Sequence, residues 1–441
     1  MNPGSHPVRA GVSFIEALKF WVKLGFINFG GPAGQIAIMQ HELVDSKRWV
    51  PQSQFLRALN FCMILPGPEA QQLAVYIGWR LHGILGGVVA GSFFVIPSIF
   101  VLLALSWMVV VSSDVPAIRG LLYGVQPVVI AIVASAVLRI GKKTLRHWGL
   151  GLFAWAAFVA LYFFNISFPY VIGTAALGGT LLQRFWPHIF QSCEVGHDGS
   201  STCNEIEDGS PNSRPSMVRN LKLLTLFLVL WGIPVGGLWL WRGPLDVLVQ
   251  ESILFSKAAF VTFGGAYAVL SYIADMAVNH YGWLNAHQMV QGLGLAESTP
   301  GPLIMVTQYI GFIAAWNLHG EFNPLFNAVL GAVITTYMTF LPCFFFIFLG
   351  APYIELLSAN RLLQAALVGV ASAVVGVIVN LGVFFGQKVL FPSPGVFDYF
   401  AAALALASFG LALKFRIQMH YLVPVGALAG MTWHLLGYGV S

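Results

Sequence analysis

The chain has 441 residues, of which 57% are hydrophobic and only 9% are charged, and its mean hydropathy is +0.78. A soluble domain carries about 25% charged residues, so this composition excludes a water-covered surface and predicts that most of the surface faces lipid. The formal charge of +5 predicts no nucleic-acid partner, because excess Lys and Arg in a membrane protein belong to cytoplasmic loops.

Apolar segments long enough to cross a bilayer recur along the whole chain. A spanning helix needs about 20 apolar residues, and the lack of ten-residue alternation favours helices over a β-barrel. No cleavable signal peptide is evident before the first of them. We therefore predict an all-α polytopic protein of about 12–13 spans, located in the cell inner (plasma) membrane. The clearest spans cover residues 83–111, 120–140, 221–241, 327–349 and 362–385.

The first half of the chain contains two motifs that a membrane-spanning helix should avoid, Phe29-Gly30-Gly31-Pro32 and Pro66-Gly67-Pro68. Proline removes a backbone donor and clashes with the preceding turn, and irregular backbone at membrane depth is tolerated only inside protein or beside a water-filled cavity. The motifs predict broken helices, whose restarted halves present unpaired N–H groups and partial positive charge to an anion. The alternative is that they are kinks or tight helix crossings.

A hydrophilic stretch over residues 191–220 follows, rich in Ser, Asp, Glu, Asn, Gly and Pro, and it predicts a flexible linker. Cys193 and Cys203 lie within it, but their spacing from the nearby histidines matches no standard zinc site, so neither a metal nor a cofactor is predicted. The predicted organisation is a first transmembrane repeat over residues 1–190, this linker, an extra connecting helix over 221–243, and a second transmembrane repeat over 244–441.

Both break motifs return 234 residues later, as Phe263-Gly264-Gly265 and Pro300-Gly301-Pro302. At this offset ten of the forty aligned positions from residue 29 to residue 68 are identical, without a gap. Chance gives one short match rather than a series, so the chain contains two related halves. The repetition favours a binding site over simple kinks, because transporters place substrate sites at the discontinuous helices of their repeats.

The basic residues predict how the two halves are oriented. The basic cluster within residues 139–146 predicts a cytoplasmic loop, whereas its counterpart in the second half carries only Lys388. The unpaired helix over residues 221–243 would start the second half from the opposite side of the membrane. We therefore expect an inverted repeat.

Four ionisable residues near the breaks are candidates for binding or coupling. Lys23 and Lys257 stand six residues before each Phe-Gly-Gly, where they either attract a dianion or extend to the membrane interface. Glu69 follows the first Pro-Gly-Pro and Glu297 precedes the second, and either is a candidate for proton coupling or for simple helix capping.

Short polar side chains next to the breaks are suited to hydrogen-bonding an oxyanion, although each also suits the local backbone. No catalytic residue is predicted. The predicted substrate-binding set is Lys23, Asn28, Phe29, Gly30, Gly31, Pro32, Asn60, Pro66, Gly67, Pro68, Lys257, Gly264, Gly265, Ser298, Thr299, Pro300, Gly301 and Pro302.

At these residues the chain resembles the chromate ion transporter (CHR) family, in its long two-domain form, over essentially its whole length. The resemblance implies export of chromate from the cytoplasm, conferring resistance, with sulfate as a close structural analogue. The second half departs from the pattern at Ala266, where the first half has Pro32, which implies that the first half is more directly concerned with substrate. The resemblance is carried by Phe29-Gly30-Gly31-Pro32, His41-Glu42, Lys47-Arg48-Trp49, Leu65-Pro66-Gly67-Pro68 with its neighbours Glu69, Gln72 and Gly78, Phe263-Gly264-Gly265 and Ser298-Thr299-Pro300-Gly301-Pro302.

Two alternative functions stay open at this point. A transporter for sulfate or another anion would share the same design. A membrane-embedded enzyme would need a compact set of His, Asp, Glu or Cys groups at one depth, which the sequence does not present. A dianion leaving a negative interior gains about 4.6 kcal/mol per 100 mV, so export needs no second ion, and uniport, symport and antiport all remain consistent with the sequence, as does any oligomeric state.

Overall fold

The computed structural model describes residues 11–112, 114–185, 217–263, 265–354, 357, 360–415 and 417–438. Most of the predicted linker, with Cys193 and Cys203, lies outside the described residues, and so does Gly264. The predicted division of the chain at residues 190, 220 and 243 stays a prediction.

The first half contains eight helices among its described residues. A π-helical turn, His41–Ser46, extends α2, and α4 changes direction at His82 and Gly83, whose backbone angles are not helical. The helices are α1 (Phe14–Ile27), α2 (Gly31–Gln40), α3 (Gln52–Ile64), α4 (Glu69–Phe93), α5 (Ile96–Val111), α6 (Pro116–Thr144), α7 (Trp148–Tyr162) and α8 (Phe168–Phe185).

The next helix, α9 (Met217–Arg242), has no equivalent in the first half, and the remaining helices repeat the order of the first half. Two elements match at the offset of 234 to the residue: the π-helical turn Asp275–His280 corresponds to His41–Ser46, and α12 corresponds to α3. The helices are α10 (Val247–Val261), α11 (Ala266–Ala274), α12 (Ala286–Ser298), α13 (Val306–Asn317, preceded by the 3-10 turn Leu303–Met305), α14 (Pro324–Gly350), α15 (Arg361–Leu390), α16 (Tyr399–Lys414) and α17 (Met419–Trp433).

Local sequence explains where many of these helices begin. Proline stands in the first turn of α2, α5, α6 and α14, where its missing N–H is not needed and its fixed φ suits the helix. At α12, Asn285 accepts from the amide of Gln288 while the Gln288 side chain accepts from the amide of Asn285, which is a capping box. The counterpart α3 begins without a side-chain cap, after Pro51.

The two halves are inverted relative to each other. Helices α6 and α15 hold the same place in the two halves, yet Gly382 of α15 faces Val133 of α6 while Val375 of α15 faces Gly141 of α6. Residue numbers therefore rise along one helix as they fall along the other, so equivalent helices run antiparallel. The predicted helical membrane fold of two inverted halves is confirmed.

Each half also packs its last two helices against the long helix of the other half: α16 and α17 contact α6, and α7 and α8 contact α15. Small residues form these contacts, as they do between membrane helices generally. A Cβ atom at Gly124 of α6 would lie 2.1 Å from the carbonyl oxygen of Gly426, and one at Gly369 of α15 would lie 2.4 Å from the carbonyl oxygen of Ala175.

Five helical segments in the described part are long and apolar enough to cross a membrane, namely Glu69–Val111, Pro116–Thr144, Met217–Arg242, Pro324–Tyr353 and Arg361–Leu390. Shorter apolar helices accompany them, including α7 and α16. The predicted number of spans stays a prediction.

Candidate functional site

The Pro-Gly-Pro motif of each half meets a helix end of the other half, which makes two crossings. At the first crossing, α1 ends at Ile27, and the amide of Gly301 donates to the carbonyl oxygen of Asn28 (N···O 2.8 Å). At the second crossing, α10 ends at Val261, and the amide of Gly67 donates to the carbonyl oxygen of Thr262 (N···O 2.8 Å). Asn28 and Thr262 are equivalent in the repeat, as are Gly67 and Gly301, so the same bond is made twice in opposite directions.

The helices are broken where the sequence predicts it. Asn28 caps α1 at φ −84° and ψ 64°, and α2 begins at Gly31 after Gly30 turns the backbone to φ 89°. In the second half Thr262 adopts φ −76° and ψ 76°, and Gly265 adopts φ 96° before α11. The carbonyl groups of Asn28 and Thr262 follow the end of a helix and find no N–H donor within it, so they can accept from the opposite half.

Only glycine suits the centre of each Pro-Gly-Pro motif. Gly67 has φ +129° and Gly301 has φ +116°, a region that side chains with a Cβ rarely adopt. Space is also lacking: a Cβ at Gly301 would lie 1.7 Å from Oγ of Ser98, whose hydroxyl donates to the carbonyl oxygen of Pro300. A Cβ at Gly67 would lie 2.6 Å from Nε2 of Gln72.

Four buried amide side chains belong to the segments that flank the breaks of the first half. Gln35 of α2 donates to the carbonyl oxygen of Gly301 at 2.6 Å, and Gln72 of α4 donates to that of Pro66 at 2.7 Å. Both atoms of the Asn28 and Gln71 amides have no hydrogen-bond partner among the described residues, although both side chains are 0% exposed. Buried polar groups are normally satisfied, so these unpaired donors point to a polar ligand.

The second half lacks this polar set. At the offset of 234, which holds without a gap from residue 29 to residue 68, Gln35 corresponds to Val269. Thr262, which corresponds to Asn28, donates its hydroxyl hydrogen to the carbonyl oxygen of Ala258. The unpaired buried amides Asn28 and Gln71 therefore belong to the first half, whereas the buried amide of Gln308 in the second half donates to the carbonyl oxygen of Ile99.

The two equivalent lysines do not lie among these buried amides. Lys23 is 57% exposed and its ammonium donates to Oε1 of Glu42 at 2.9 Å. Lys257 is exposed on α10. Within the first turn of α4, Glu69 is partly buried beside Gln71 and Gln72. Glu297 is buried near the end of α12 and accepts a hydrogen bond from the hydroxyl of Tyr267.

The remaining predicted residues divide by position. Phe29 lies against His420 of α17, with ring centroids 5.3 Å apart. Ser298 and Thr299 donate to carbonyl oxygens of their own helix, whereas Asn60 is exposed on α3. The residues at or directly beside the two crossings are Asn28, Gly30, Gly31, Pro32, Pro66, Gly67, Pro68, Gly265, Pro300, Gly301 and Pro302.

A polar cavity of about 810 Å³ opens at the start of α12. His287 and Lys388 bring basic groups to its wall, and Nδ1 of His287 lies 2.8 Å from Oε1 of Gln126. Asn279 and Phe384 also line a second cavity of about 260 Å³. No group of three His, Cys, Asp or Glu side chains within the described ranges is placed to hold a metal ion.

The amides Gln35 and Gln71 were not predicted from the sequence, and Gln72 entered only as a neighbour of the motif. A usable signal for Gln35 existed in the repeat itself, because its equivalent in the second half, Val269, is apolar. Where one half buries an amide and the equivalent residue of the other half is apolar, the shared fold does not need the amide, which makes it a candidate for binding.

Comparison with known proteins places the chain beside transporters. The sequence profile described as "Chromate transporter" matches residues 15–180 and 250–431, one match in each half. No solved structure matches the chain significantly.

Two relatives match nearly the whole chain. A chromate transport protein of Pseudomonas aeruginosa is 30% identical over 438 residues, covering 95% of this chain and 92% of the relative. One of Cupriavidus metallidurans is 26% identical over 412 residues, covering 93% and 91% respectively. A shorter relative, an uncharacterized transporter of Bacillus subtilis, is 31% identical over 164 residues, covering 37% of this chain and 77% of itself, which is the span of a single half.

Proposed function

The chain belongs to the chromate transporter family, and on that premise we propose that it is a secondary transporter that exports chromate from the cytoplasm across the inner membrane and thereby confers chromate resistance. It performs this work without a catalytic step or a cofactor. The observation that carries the proposal is the pair of buried, unpaired amides, Asn28 and Gln71, beside the broken helices of the first half.

The chemistry of these groups suits an oxyanion. Chromate offers only acceptor oxygens, and Nδ2 of Asn28 and Nε2 of Gln71 are donors without a partner in the described chain. The first turn of α4 adds backbone N–H groups that have no partner within the helix, together with its partial positive charge. Helix-terminal amides in place of lysine bind an anion without holding a permanent cation at membrane depth.

The two crossings explain how such a site can serve both sides of the membrane. The substrate site and the Pro-Gly-Pro motifs lie where the inverted halves meet, and a rocking of one half against the other exposes such a site alternately. The hydrogen bonds from Gly67 and Gly301 to the opposite half are the hinges of this motion in our proposal.

The membrane potential is sufficient as a driving force. A dianion leaving a negative interior gains about 4.6 kcal/mol per 100 mV, or about three decades in concentration. Glu69 is the residue beside the proposed site whose charge opposes the anion, so protonation of Glu69 would favour binding and would produce symport rather than antiport.

Flux into inverted membrane vesicles tests the proposal. With the potential clamped and no pH gradient, we expect potential-driven uptake of labelled chromate, which sulfate and molybdate compete for only weakly. If unlabelled sulfate competes as strongly as unlabelled chromate does, or more strongly, the substrate would be reassigned to sulfate. Absence of potential-driven uptake, in vesicles shown to contain the protein, would refute export of the dianion by this mechanism.

A variant in the same assay tests the site. Gln71→Leu removes one donor to a charged ligand, worth about 1.5–3 kcal/mol, so the apparent affinity for chromate should weaken about 10- to 100-fold. Gln52→Leu, at an exposed amide on α3, is the matched control and should leave the affinity unchanged. An unchanged affinity in Gln71→Leu would remove this residue from the site.

A further inference from the structure

Glu251 is a fully buried carboxyl group that the proposed transport mechanism does not use. It lies on α10, one turn after the start of the helix, and is 0% exposed. Neither of its carboxylate oxygens has a hydrogen-bond partner among the described residues. An ionised carboxylate is not stable in such a place, because it loses water and gains neither a counter-charge nor a donor.

The neighbouring basic group is already committed to other partners. Arg242, at the end of α9 with its side chain 2% exposed, donates through Nε to Oδ2 of Asp246 at 3.0 Å and through Nη2 to Oδ1 of Asn327 at 2.7 Å. Its guanidinium also lies 3.5 Å from the ring centroid of Phe322. The pair of Arg242 and Asp246 is neutral as a whole. Nη1 of Arg242 is buried without a partner among the described residues, and neither carboxylate oxygen of Glu251 accepts from it.

The helices opposite Glu251 present no charge. A Cβ atom at Gly331 of α14 would lie 3.1 Å from Oε2 of Glu251, which places this oxygen against the small face where Gly331 packs on Gly311 and Ala315 of α13. The carboxyl group therefore sits at a tight contact of three helices, α10, α13 and α14.

Most of the other titratable groups on the surrounding helices are engaged elsewhere or lie at the rim. The exception is Tyr309 of α13, which is buried with its hydroxyl unpaired in the described chain, while Sγ of Cys343 on α14 donates to the carbonyl oxygen of Thr339. Tyr267 of α11 donates to Glu297, and Tyr337 of α14 donates to the carbonyl oxygen of Leu230. His319 follows the end of α13, and Lys257 on α10 itself is exposed. Asp246, the remaining carboxylate, is paired with Arg242 and supplies no donor to Glu251.

From this geometry we infer that Glu251 is a proton-binding site: it is protonated in the conformation seen here and releases its proton only when α10 separates from α13 and α14 and admits water. The equivalent residue of the first half is Ala17, so the site belongs to the second half alone. The division of labour is then anion chemistry in the first half and proton chemistry in the second. The link of this site to transport rests on the proposed function, whereas protonation itself does not.

Infrared spectra of the purified full-length protein test protonation without any substrate. The spectrum of each variant is subtracted from that of the wild type. At neutral pH we expect a carbonyl band of a protonated carboxylic acid that is lost in Glu251→Gln and retained in Glu321→Gln, which removes an exposed carboxyl group in the loop between α13 and α14. Gln has the shape of the protonated form, so the variant should fold and elute as the wild type does. A spectrum of Glu251→Gln identical to that of the wild type would overturn the inference.

The pH dependence of flux tests the link to conformation. Glu69→Gln is introduced first, because protonation of Glu69 would by itself make uptake vary with pH. Across the alkaline range in which chromate stays a dianion, potential-driven uptake should still vary with pH in this background and after addition of Glu321→Gln, and this variation should be lost after addition of Glu251→Gln. A retained pH profile in Glu251→Gln would exclude a role for this proton in the transport cycle. If the wild type moves no chromate at all, the proposed function fails, and the infrared result still decides whether Glu251 holds a proton.

Discussion

Single residues set the geometry of the crossings, and the two glycines at their centres differ in how much substitution they tolerate. Both Gly67 and Gly301 have positive φ, so both backbones are strained by a Cβ atom. At Gly67 the nearest obstruction is Nε2 of Gln72, the far end of a flexible side chain, whereas at Gly301 it is Oγ of Ser98, a short side chain that has little freedom to withdraw.

We therefore expect Gly301→Ala to lower stability more than Gly67→Ala does. Backbone strain alone costs about 1–3 kcal/mol at either site, and the clash at 1.7 Å from Ser98 adds to it in Gly301→Ala. Thermal unfolding of the purified protein in detergent measures the difference. Gly232→Ala, on α9 with open space around it, is the control and should be neutral or slightly stabilising.

The double variant Gly301→Ala with Ser98→Ala should recover part of the loss, because the clash is relieved while the strain persists. If Gly67→Ala proves the more damaging variant, the close approach of Ser98 to Gly301 is not what limits the site.

The sequence predicted the positions of the breaks correctly because proline and glycine act locally. It did not predict that the amide of Gly301 would donate to the carbonyl oxygen of Asn28, since a periodic pattern does not indicate which helix end of one half lies beside which motif of the other. For the same reason Lys23 was a candidate for anion binding, while its ion pair with Glu42, nineteen residues away, became visible only in the fold.

At the scale of helices, the long helices α6 and α15 are held by contacts between small residues. Gly124 of α6 contacts Gly426 and Gly430 of α17, and its equivalent, Gly369 of α15, contacts Ala175 and Gly179 of α8. In lipid there is little hydrophobic drive to associate helices, so close backbone approach supplies the van der Waals energy. The same seam is thus built twice, once for each half.

A methyl group in either seam should weaken the protein to a similar extent. Gly124→Ala and Gly369→Ala would place a Cβ at 2.1 Å and 2.4 Å from an opposing carbonyl oxygen, and overpacking of this kind costs about 1–3 kcal/mol. Thermal unfolding in detergent measures both losses. Gly141→Ala, on α6 itself but 3.7 Å from Val375, is the matched control and should have little effect. Loss of stability in only one of the two variants would show that the seams are not equivalent.

The repeat predicted elements well, as the coincidence of α12 with α3 at the same offset shows. It did not predict that the last two helices of each half pack against the long helix of the other half. Both long helices, α6 and α15, are apolar around most of their surface. An amphipathic helix reveals its buried face, whereas a helix surrounded by lipid and protein does not.

At the scale of the whole molecule, the inverted halves share one framework and divide the chemistry. The antiparallel course of α6 and α15 and the two reciprocal crossings keep the backbone nearly symmetric. The unpaired buried amides of Asn28 and Gln71 occur in the first half and the unpaired carboxyl of Glu251 in the second. A symmetric framework provides two opposite conformations of similar free energy, and the asymmetric side chains decide what each conformation binds.

Inversion also makes a prediction about sidedness, because equivalent loops of inverted halves must emerge on opposite faces of the membrane. Lys143 lies in the last turn of α6 and Lys388 in the last turn of α15, and both are exposed. Since basic residues concentrate on the cytoplasmic side, we expect a membrane-impermeant maleimide to label Lys388→Cys in intact spheroplasts and Lys143→Cys only after permeabilisation. Cys193 and Cys203 are replaced by serine beforehand, whereas Cys62 and Cys343 are buried and can stay. Labelling of both sites from the same side would contradict the antiparallel course of the two helices across the membrane, and with it the alternating access that an inverted pair of halves provides.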